Sequence, residues 1–533
     1  MRPAQAITGL QLLPLSAALR SSGNGVLQQP EMAAKRVAII GAGAGGSSAA
    51  YHLSQNAKEA GIPADIHVFE RSARVGGRCT TVNAWNDPTT PVELGASIFV
   101  EVNHILVEAA KTFNLSADSK ETTVEGVPDL GVWNGHEFVV ITESGDSWWD
   151  KAKLLWRYGW APIKTNRLMK ETVGKFLKMY EAPLFPWKSL TEVTETVGLT
   201  GTFSSTGEQF LKQGGIGDLF ATEIIQASTR VNYAQNLGLI HGLETMVCMA
   251  TNGAMAIDGG NYQIFENMVN SSSTISTHLN TQIAKVSKQS DNTYNLTTKS
   301  GETSNFDTVI IATPLQFSEL DIDPRPKHVP DVIPYVKLHV TLFASPHRLD
   351  PKAFNLDPDK NVPQYVLTTL PPGENPGADP NGVGAPGFLS ISNHGSGINP
   401  HTSRSELLYK IFSPMPINAT FLSHILGKDI GDGEAKHGSR DGAVSWIYHK
   451  TWHSYPYMYP RVTFDEIRLD GDGLWYTSAI ESFISTMETS ALMGKNVAKL
   501  VANGWVEGKE GKVEGEGDWA YVAADQKPLK AKL

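Results

Sequence analysis

Val37 to Leu53 read VAIIGAGAGGSSAAYHL, an apolar run that breaks into glycines and resumes as a helix of small residues. Lys35 to Ile40 (KRVAII) predicts a β-branched strand opening directly into Gly41-Ala42-Gly43-Ala44-Gly45-Gly46. In the stretch that follows, SSAAYHLSQNAKEA, Ala49, Leu53 and Ala57 fall on one helical face. Asp65 to Glu70 (DIHVFE) predicts the next strand, which closes on an acid. Each part has a physical job in holding a dinucleotide. Gly41 permits the tight turn, Gly43 lets the backbone approach a pyrophosphate, and Gly46 lets the helix pack against the strand. The helix start at Ala44 and Gly45 offers free N–H groups and the positive end of its dipole. Glu70 stands where ribose hydroxyls need an acceptor.

The rest of the composition narrows the class. With 533 residues and 41% hydrophobic content, the chain suits two large domains or one domain with a big insertion. A net charge of −10 and the lack of a basic tract argue against nucleic-acid binding. Two cysteines, Cys79 and Cys248, cannot build a disulfide framework or a structural zinc site, and no metal cluster is expected. Cys79 reads as a small buried filler. No apolar run is long enough to span a membrane, so membrane contact is at most peripheral.

The termini carry conflicting addresses. Arg2, the apolar stretch Ala6 to Leu19 and the small polar residues after it have the layout of a secretory signal, with a disordered extension as the plain alternative for residues 1–30. Ala531-Lys532-Leu533 resembles a relaxed peroxisomal address. The expectation is the secretory pathway, lysosome, vacuole or exterior, with the peroxisome as alternative. Asn114, Asn270, Asn295 and Asn418 each begin a sequon, as many as chance supplies in such a composition.

The residues just beyond the acid choose between NAD and FAD. Glu70-Arg71-Ser72-Ala73-Arg74-Val75-Gly76-Gly77-Arg78-Cys79-Thr80-Thr81 resembles the RxGGRxxT motif of the amine-oxidase-like flavoproteins. Glu93-Leu94-Gly95-Ala96 is similar to their D/E-x-G-A segment. The resemblance implies that Arg71, Gly76, Gly77 and Arg78 run along the FAD pyrophosphate and flavin, where two phosphates need counter-charge. It also implies that the segment around Ile283 meets the adenine side. Phe306 to Pro314 is similar to the superfamily's VVxAxP strand, and reads equally well as an ordinary core strand. Near the C-terminus, Ser485 to Ala498 reads as a helix start capped by Ser and Thr. In the superfamily such a helix faces the flavin pyrimidine ring, which implicates Glu481, Met487 and Glu488. Ala479-Ile480-Glu481 departs from the usual A-G-D/E pattern there. No cysteine lies in this region, so the FAD is expected to be non-covalent.

The fold class that follows is α/β: a discontinuous Rossmann-type FAD-binding domain with an inserted mixed α+β substrate-binding domain. The FAD domain is expected over 35–105, 275–330 and 465–505, the substrate domain over 106–274 and 331–464, and a solvated tail over 507–533. Within the inserts, Arg230-Val231-Asn232-Tyr233-Ala234-Gln235, Asp258-Gly259-Gly260-Asn261 and Trp446 with Trp452-His453-Ser454-Tyr455-Pro456 resemble prenylcysteine oxidases, also called prenylcysteine lyases. The likeness runs over most of residues 35–500. It implies an FAD-dependent thioether oxidase that uses O2 and releases prenyl aldehyde, cysteine and H2O2 from a lipophilic prenylcysteine.

A prenyl group demands a long apolar slot. Trp446, Trp452 and Tyr455 are candidates to line it, as is the aromatic and basic stretch Trp148 to Trp160, which reads equally as a packed amphipathic helix or a membrane-facing one. His449, Lys450 and His453 are candidates for orienting water; Lys337 and His339 share one face of a strand that reads equally as solvated. The sequence names no catalytic base. Two other readings remain open. One is a flavin oxidase or dehydrogenase acting on an amine or a secondary metabolite. The other is a flavin-free binder of prenylated proteins, resembling the Rab GDP-dissociation inhibitors.

Overall fold

The computed structural model describes residues 33–118, 126–142, 155–374 and 382–507. The expectations for residues 1–30, for Trp148 to Leu154 and for the tail after Glu507 lie outside these residues. From Ala34 onward the described chain forms one compact unit.

KRVAII forms strand β1 (Lys35–Ile40), whose last four residues are buried. Such a run does not alternate because both faces of the strand are covered. It lies between β2 (Ala64–Phe69) and β4 (Thr308–Ile311), with β3 (Ile275–His278) and β7 (Leu474–Tyr476) at the edges. All four pairings are parallel, giving the order β7-β4-β1-β2-β3. The β-branched residues Val309, Ile310 and Ile311 fill the centre opposite Ala38, Ile39 and Ile40.

Helix α1 (Ala44–Glu59) makes the crossover from β1 to β2. It is covered by α7 (Met487–Glu507) and by α6 (Tyr262–Asn270). The α1–α7 crossing is close because it is built on glycine. A Cβ at Gly494 would sit 2.2 Å from Gly45 O and 2.9 Å from Ala49 N. Ser48 Oγ completes the crossing by donating to Ala491 O at 2.6 Å. Helix α2 (His104–Thr112) also packs on α7. The sequence reading counted most of α2 and all of α6 with the inserts. Ile105, Leu106, Ile264, Phe265 and Met268 instead share one core with Val37 and Ile39, because their apolar stripes cover α1 and α7.

A four-stranded sheet over residues 283–323 follows β3, with turns at Asn292 (φ 64°) and Gly301 (φ 94°). Besides two short two-stranded pairs, the remaining described strands form a seven-stranded sheet edged by β6 (Trp446–Pro456), which pairs antiparallel with β5 (Tyr335–Ser345). In β5, Val336, Leu338, Val340 and Leu342 are buried while Lys337 is exposed, the period-2 pattern of a sheet packed on one face. Helices α3 (Ala161–Leu177), α4 (Gln226–Tyr233) and α5 (Gly242–Cys248) build a further apolar body beside this sheet. Asn114, Asn270 and Asn418 are exposed, and Asn295 is half-buried in a strand. Among the described residues no helix is long and apolar enough to cross a membrane.

Candidate active site

The glycines after β1 fall into two kinds. Gly41 and Gly46 are demanded by the protein itself. Gly41 has φ +108°, and a Cβ there would lie 2.7 Å from Ala312 O; at Gly46 it would lie 1.9 Å from Gly41 O. Gly43 is different, since its hypothetical Cβ meets only Gly77 Cα, at 3.9 Å. The protein leaves that position open. Gly77 comes from the loop after β2 and faces Gly43 in return: a Cβ on Gly77 would lie 3.1 Å from Gly43 Cα. Gly76 N donates to Ala42 O at 2.8 Å and fixes the two loops against each other.

Helix α1 starts at this crossing with no capping side chain and no acid in its first turn. Its N-terminal dipole and first N–H groups are left for an anion. Two opposed glycines beside an uncapped helix start are a cradle that a Cβ would fill, and they fit a dinucleotide pyrophosphate. Glu70 stands beside it: Oε2 accepts from Ala42 N at 2.9 Å and Oε1 from Ser72 N at 2.8 Å. A carboxylate has about four acceptor positions, so each oxygen keeps one for a ribose hydroxyl. Ile283 is buried close by, after Thr281, whose N–H bonds Glu70 O at 2.8 Å. Arg71 turns away: its Nη1 donates to Phe317 O at 2.9 Å.

The same loop carries Arg78 into the second half of the site. Its Nη1 donates to Ser454 O at 2.7 Å, and Nη2 pairs with Glu481 Oε1 at 2.8 Å. The other Glu481 oxygen accepts from Tyr335 Oη at 2.8 Å. Burial disfavours the Arg78 charge most, but Glu481, Tyr335 and Tyr455 together outweigh it, so Arg78 is held more firmly protonated than a free arginine. Trp452 lies on the adjoining segment, where a Cβ at Gly95 would be 2.9 Å from Cη2 of its indole. The indole Nε1–H of Trp452 and the hydroxyls of Ser454 and Ser482 are buried without a hydrogen-bond partner. Buried donors are nearly always satisfied, so three orphans beside one cluster mark a place that a ligand or water completes.

Tyr455 extends the site toward the helical body. Its ring meets Tyr233 edge-on at 5.3 Å, and Tyr233 Oη donates to Ser485 O at 3.2 Å. Behind Tyr233 stands Glu244, fully buried, with no close hydrogen bond to either carboxyl oxygen; the Tyr233 hydroxyl and the Ser485 backbone offset its burial only in part. Burial pushes its pKa up to about 8. His241 caps the same helix, its Nδ1 accepting from Glu244 N at 3.1 Å. That bond fixes the neutral tautomer with its proton on Nε2, and burial holds the imidazole neutral with a pKa of about 3. Cys79 and Cys248 are buried thiols whose pKa values burial raises, which leaves them unreactive.

Several residues singled out by sequence lie elsewhere. Glu488 accepts from Ile105 N at 2.9 Å, Leu106 N at 3.0 Å and Tyr180 Oη at 3.0 Å. It caps α2 and holds Tyr180, so both of its carboxyl oxygens are engaged by the protein itself. Met487 is half-buried against the main core, and Thr486 caps α7 through Thr489 N at 3.0 Å. Trp446 sits six positions before Trp452, roughly 20 Å along the strand. It pairs with Ala344 at the far end of β5, and with Trp452 and Tyr455 it packs on one apolar cluster that includes Leu338, Val340 and Leu342.

The basic candidates are spread over both faces of β6: exposed His449 and His453 alternate with half-buried Lys450, which shares the parity of Trp446 and Trp452. His449 bonds Thr341 Oγ1 at 3.2 Å and Ala435 O at 3.0 Å, and His339 bonds Thr451 Oγ1 at 3.0 Å. Both border an outer cleft together with Lys450 and Lys436. Lys337 is exposed, and His453 stacks on Phe317 at 5.0 Å. None of them reaches the Arg78 cluster. Tyr335, Tyr233, His241 and Glu244 do lie around it and carry no local motif; only the chain's return through β5 and the helices brings them there. Among the described residues no group of acids, histidines and cysteines is arranged to hold a metal.

The comparisons agree with this layout. Residues 141–514 match the family model described as prenylcysteine lyase, and residues 39–109 match the NAD(P)-binding Rossmann-like domain. The chain is 30% identical to the farnesylcysteine lyase of Arabidopsis thaliana over 485 residues, covering 87% of each chain. It is 28% identical to prenylcysteine oxidase 1 of Bos taurus over 508 residues, covering 90% of each. Cyclohexylamine oxidase from Brevibacterium oxydans shares the fold with a TM-score of 0.53 at 14% identity, over 89% of this chain and 100% of its own.

Proposed function

The chain belongs to the prenylcysteine lyase family, and from that premise we propose that it is an FAD-dependent thioether oxidase acting on S-prenylcysteine. The overall reaction balances as thioether, O2 and water giving prenyl aldehyde, cysteine thiol and H2O2. FAD, held by the Gly43–Gly77 cradle and Glu70, would supply the redox chemistry: a hydride acceptor for the allylic carbon beside sulfur and an electron donor to O2.

The chain's own residues bind, orient and exclude water. Gly43 and Gly77 give the pyrophosphate its backbone approach, the α1 N-terminus supplies N–H donors, and Glu70 receives the ribose. Arg78, held by Glu481 and Ser454, carries a fixed positive charge at the junction with the substrate side. Trp452 Nε1 and Ser482 Oγ are free donors for a polar atom seated there. Tyr455 and Tyr233 begin an apolar body that runs through Ile225, Met246 and Met458, a suitable lining for a hydrocarbon chain.

One observation carries the reading: the open Gly43–Gly77 cradle and the apolar body meet across the single residue step from Gly77 to Arg78. A flavin-free binder would have no reason to keep that cradle clear. The test is anaerobic mixing of the purified yellow protein with farnesylcysteine. Bleaching of the flavin band, reversed by air with peroxide release, supports the proposal. A flavin that stays oxidised while amines bleach it overturns the substrate.

A further inference from the structure

The apolar body behind Tyr455 does not end in a polar surface. It continues through Met169, Phe220 and Ala161 to Tyr158, and there the chain turns large apolar side chains into solvent. Leu155 is 44% exposed, Trp156 92%, Trp160 68% and Ile163 53%. Scattered exposed apolar residues need no explanation, but two tryptophans, a leucine and an isoleucine within one short stretch form a patch. Leu219 adds to it, 48% exposed on the turn whose next residue, Phe220, packs on Tyr158 at 5.2 Å.

The exposure is built in. Arg157 and Tyr158 both clamp the buried Glu223, with Arg157 Nε at 2.9 Å, Arg157 Nη2 at 2.7 Å and Tyr158 Oη at 2.6 Å. Gly159, at φ +58°, bends the chain, and its N–H closes the turn on Leu155 O at 2.8 Å. Tyr158 and Ala161 are thereby pinned inward, which forces Trp156 and Trp160 outward.

The charges along the α3 side of the patch are mainly basic, with exposed Asp218 beside Leu219 at its other edge. Trp160, Ile163, Lys164 and Arg167 recur at helical spacing on one face of α3, and Lys170 follows one turn on. All three cations are exposed; Lys164 Nζ also donates to Gly215 O at 3.0 Å. The acid on that face, Glu171, is paired with Lys175 at 3.1 Å. In a chain of net charge −10, this is a local basic rim around an apolar centre. Trp at the headgroup level with Lys and Arg beside it is the pattern of an interfacial anchor.

We propose that the Leu155–Lys170 face is a membrane-docking surface: Trp156, Trp160 and Ile163 enter the interface of a bilayer containing anionic lipid, while Lys164, Arg167 and Lys170 meet its headgroups. Docked this way, the enzyme sits on the surface into which a prenyl substrate partitions. That consequence rests on the substrate proposed above; the docking does not.

The test is co-sedimentation of the full holoprotein with vesicles of phosphatidylcholine alone and of phosphatidylcholine with 30% phosphatidylserine, about a physiological anionic fraction. The expected result is partition into the anionic vesicles, reduced at least tenfold by Trp156→Ala with Trp160→Ala and also by Lys164→Glu with Arg167→Glu. Turnover of soluble farnesylcysteine is expected to be unchanged in these variants. Turnover of substrate embedded in vesicles is expected to fall with binding. Vesicle binding that the variants leave intact, or no binding at all, overturns the proposal. So does a tryptophan-dependent dimer that ignores vesicles, which would make the face a contact between copies. Vesicle binding without prenylcysteine turnover would sink the substrate reading and leave the docking surface standing.

Discussion

Arg78 Nη2 lies 2.8 Å from Glu481 Oε1, an ion pair that ties the loop after β2 to the turn after β7. Each partner came from a different motif, and neither motif announces the other. The side chain of Glu481 is only 6% exposed, so its charge needs partners, and Arg78 and Tyr335 are the ones it has in hand. Replacing Arg78 with Met would leave a buried carboxyl with one hydrogen bond. Breaking a fully buried pair costs about 3–5 kcal/mol. Arg78 is itself 37% exposed, so about 2 kcal/mol is the expected loss here. The checks are thermal unfolding and the flavin-to-protein ratio, both expected to drop. An unchanged flavin content with lowered stability would make Arg78 a structural tie only.

The glycines offer a cleaner separation of fold from ligand. Gly46→Ala puts a methyl 1.9 Å from Gly41 O and is expected to abolish soluble expression. Gly43→Ala meets nothing closer than 3.9 Å, so the apoprotein should fold normally. Its methyl points into the cradle, and flavin affinity is expected to fall by at least tenfold, about 1.4 kcal/mol. Apoprotein melting and flavin titration read the two effects apart. A Gly43→Ala protein that binds flavin as tightly as the parent would show that the pyrophosphate lies elsewhere.

The cradle was legible in the sequence because its chemistry is local: strand, glycines, helix start and acid follow one another within Lys35 to Glu70. Arg78 and Glu481 were legible as members of motifs, and their pairing was not. Glu488 belongs in sequence to the start of α7, while in space its carboxylate caps α2, a pairing that no local motif encodes. Trp446 lies close to Trp452 in number, while an extended strand carries it roughly 20 Å away along the same apolar cluster. Tyr233, Tyr335 and Glu244 reach the site only through tertiary return of the chain, which no periodicity encodes.

Trp446 and Trp452 can therefore be told apart by function. Trp452→Phe keeps the ring on Gly95 and deletes the unpartnered Nε1–H, so kcat/KM for prenylcysteine is expected to fall about tenfold, one hydrogen bond's worth, with little change in melting. Trp446→Phe is expected to leave kcat/KM within about twofold and to cost only packing, about 1 kcal/mol. Steady-state kinetics on both variants decides it. Equal losses would put Trp446 back in the substrate slot.

Glu244 predicts a pH dependence whose sign is fixed by its environment. The carboxyl faces Tyr233 and Cys248, both neutral at physiological pH, and the uncharged His241 caps its helix. Burial raises its pKa from 4.5 to about 8, so the folded chain keeps a proton that the unfolded chain releases. The unfolded state binds fewer protons across this window, and stability falls as pH rises. The contribution is complete below about pH 4.5 and lost progressively up to about pH 8. Glu244→Gln keeps the shape and removes the titration. Melting curves should show variant and parent nearly equal at pH 5. At pH 8 the variant should be more stable, by on the order of 3 kcal/mol. A parent protein that instead gains stability relative to Glu244→Gln between pH 5 and 8 would mean that the carboxylate is charged and paired, with a cation or a water network supplying the hydrogen bonds its two oxygens lack.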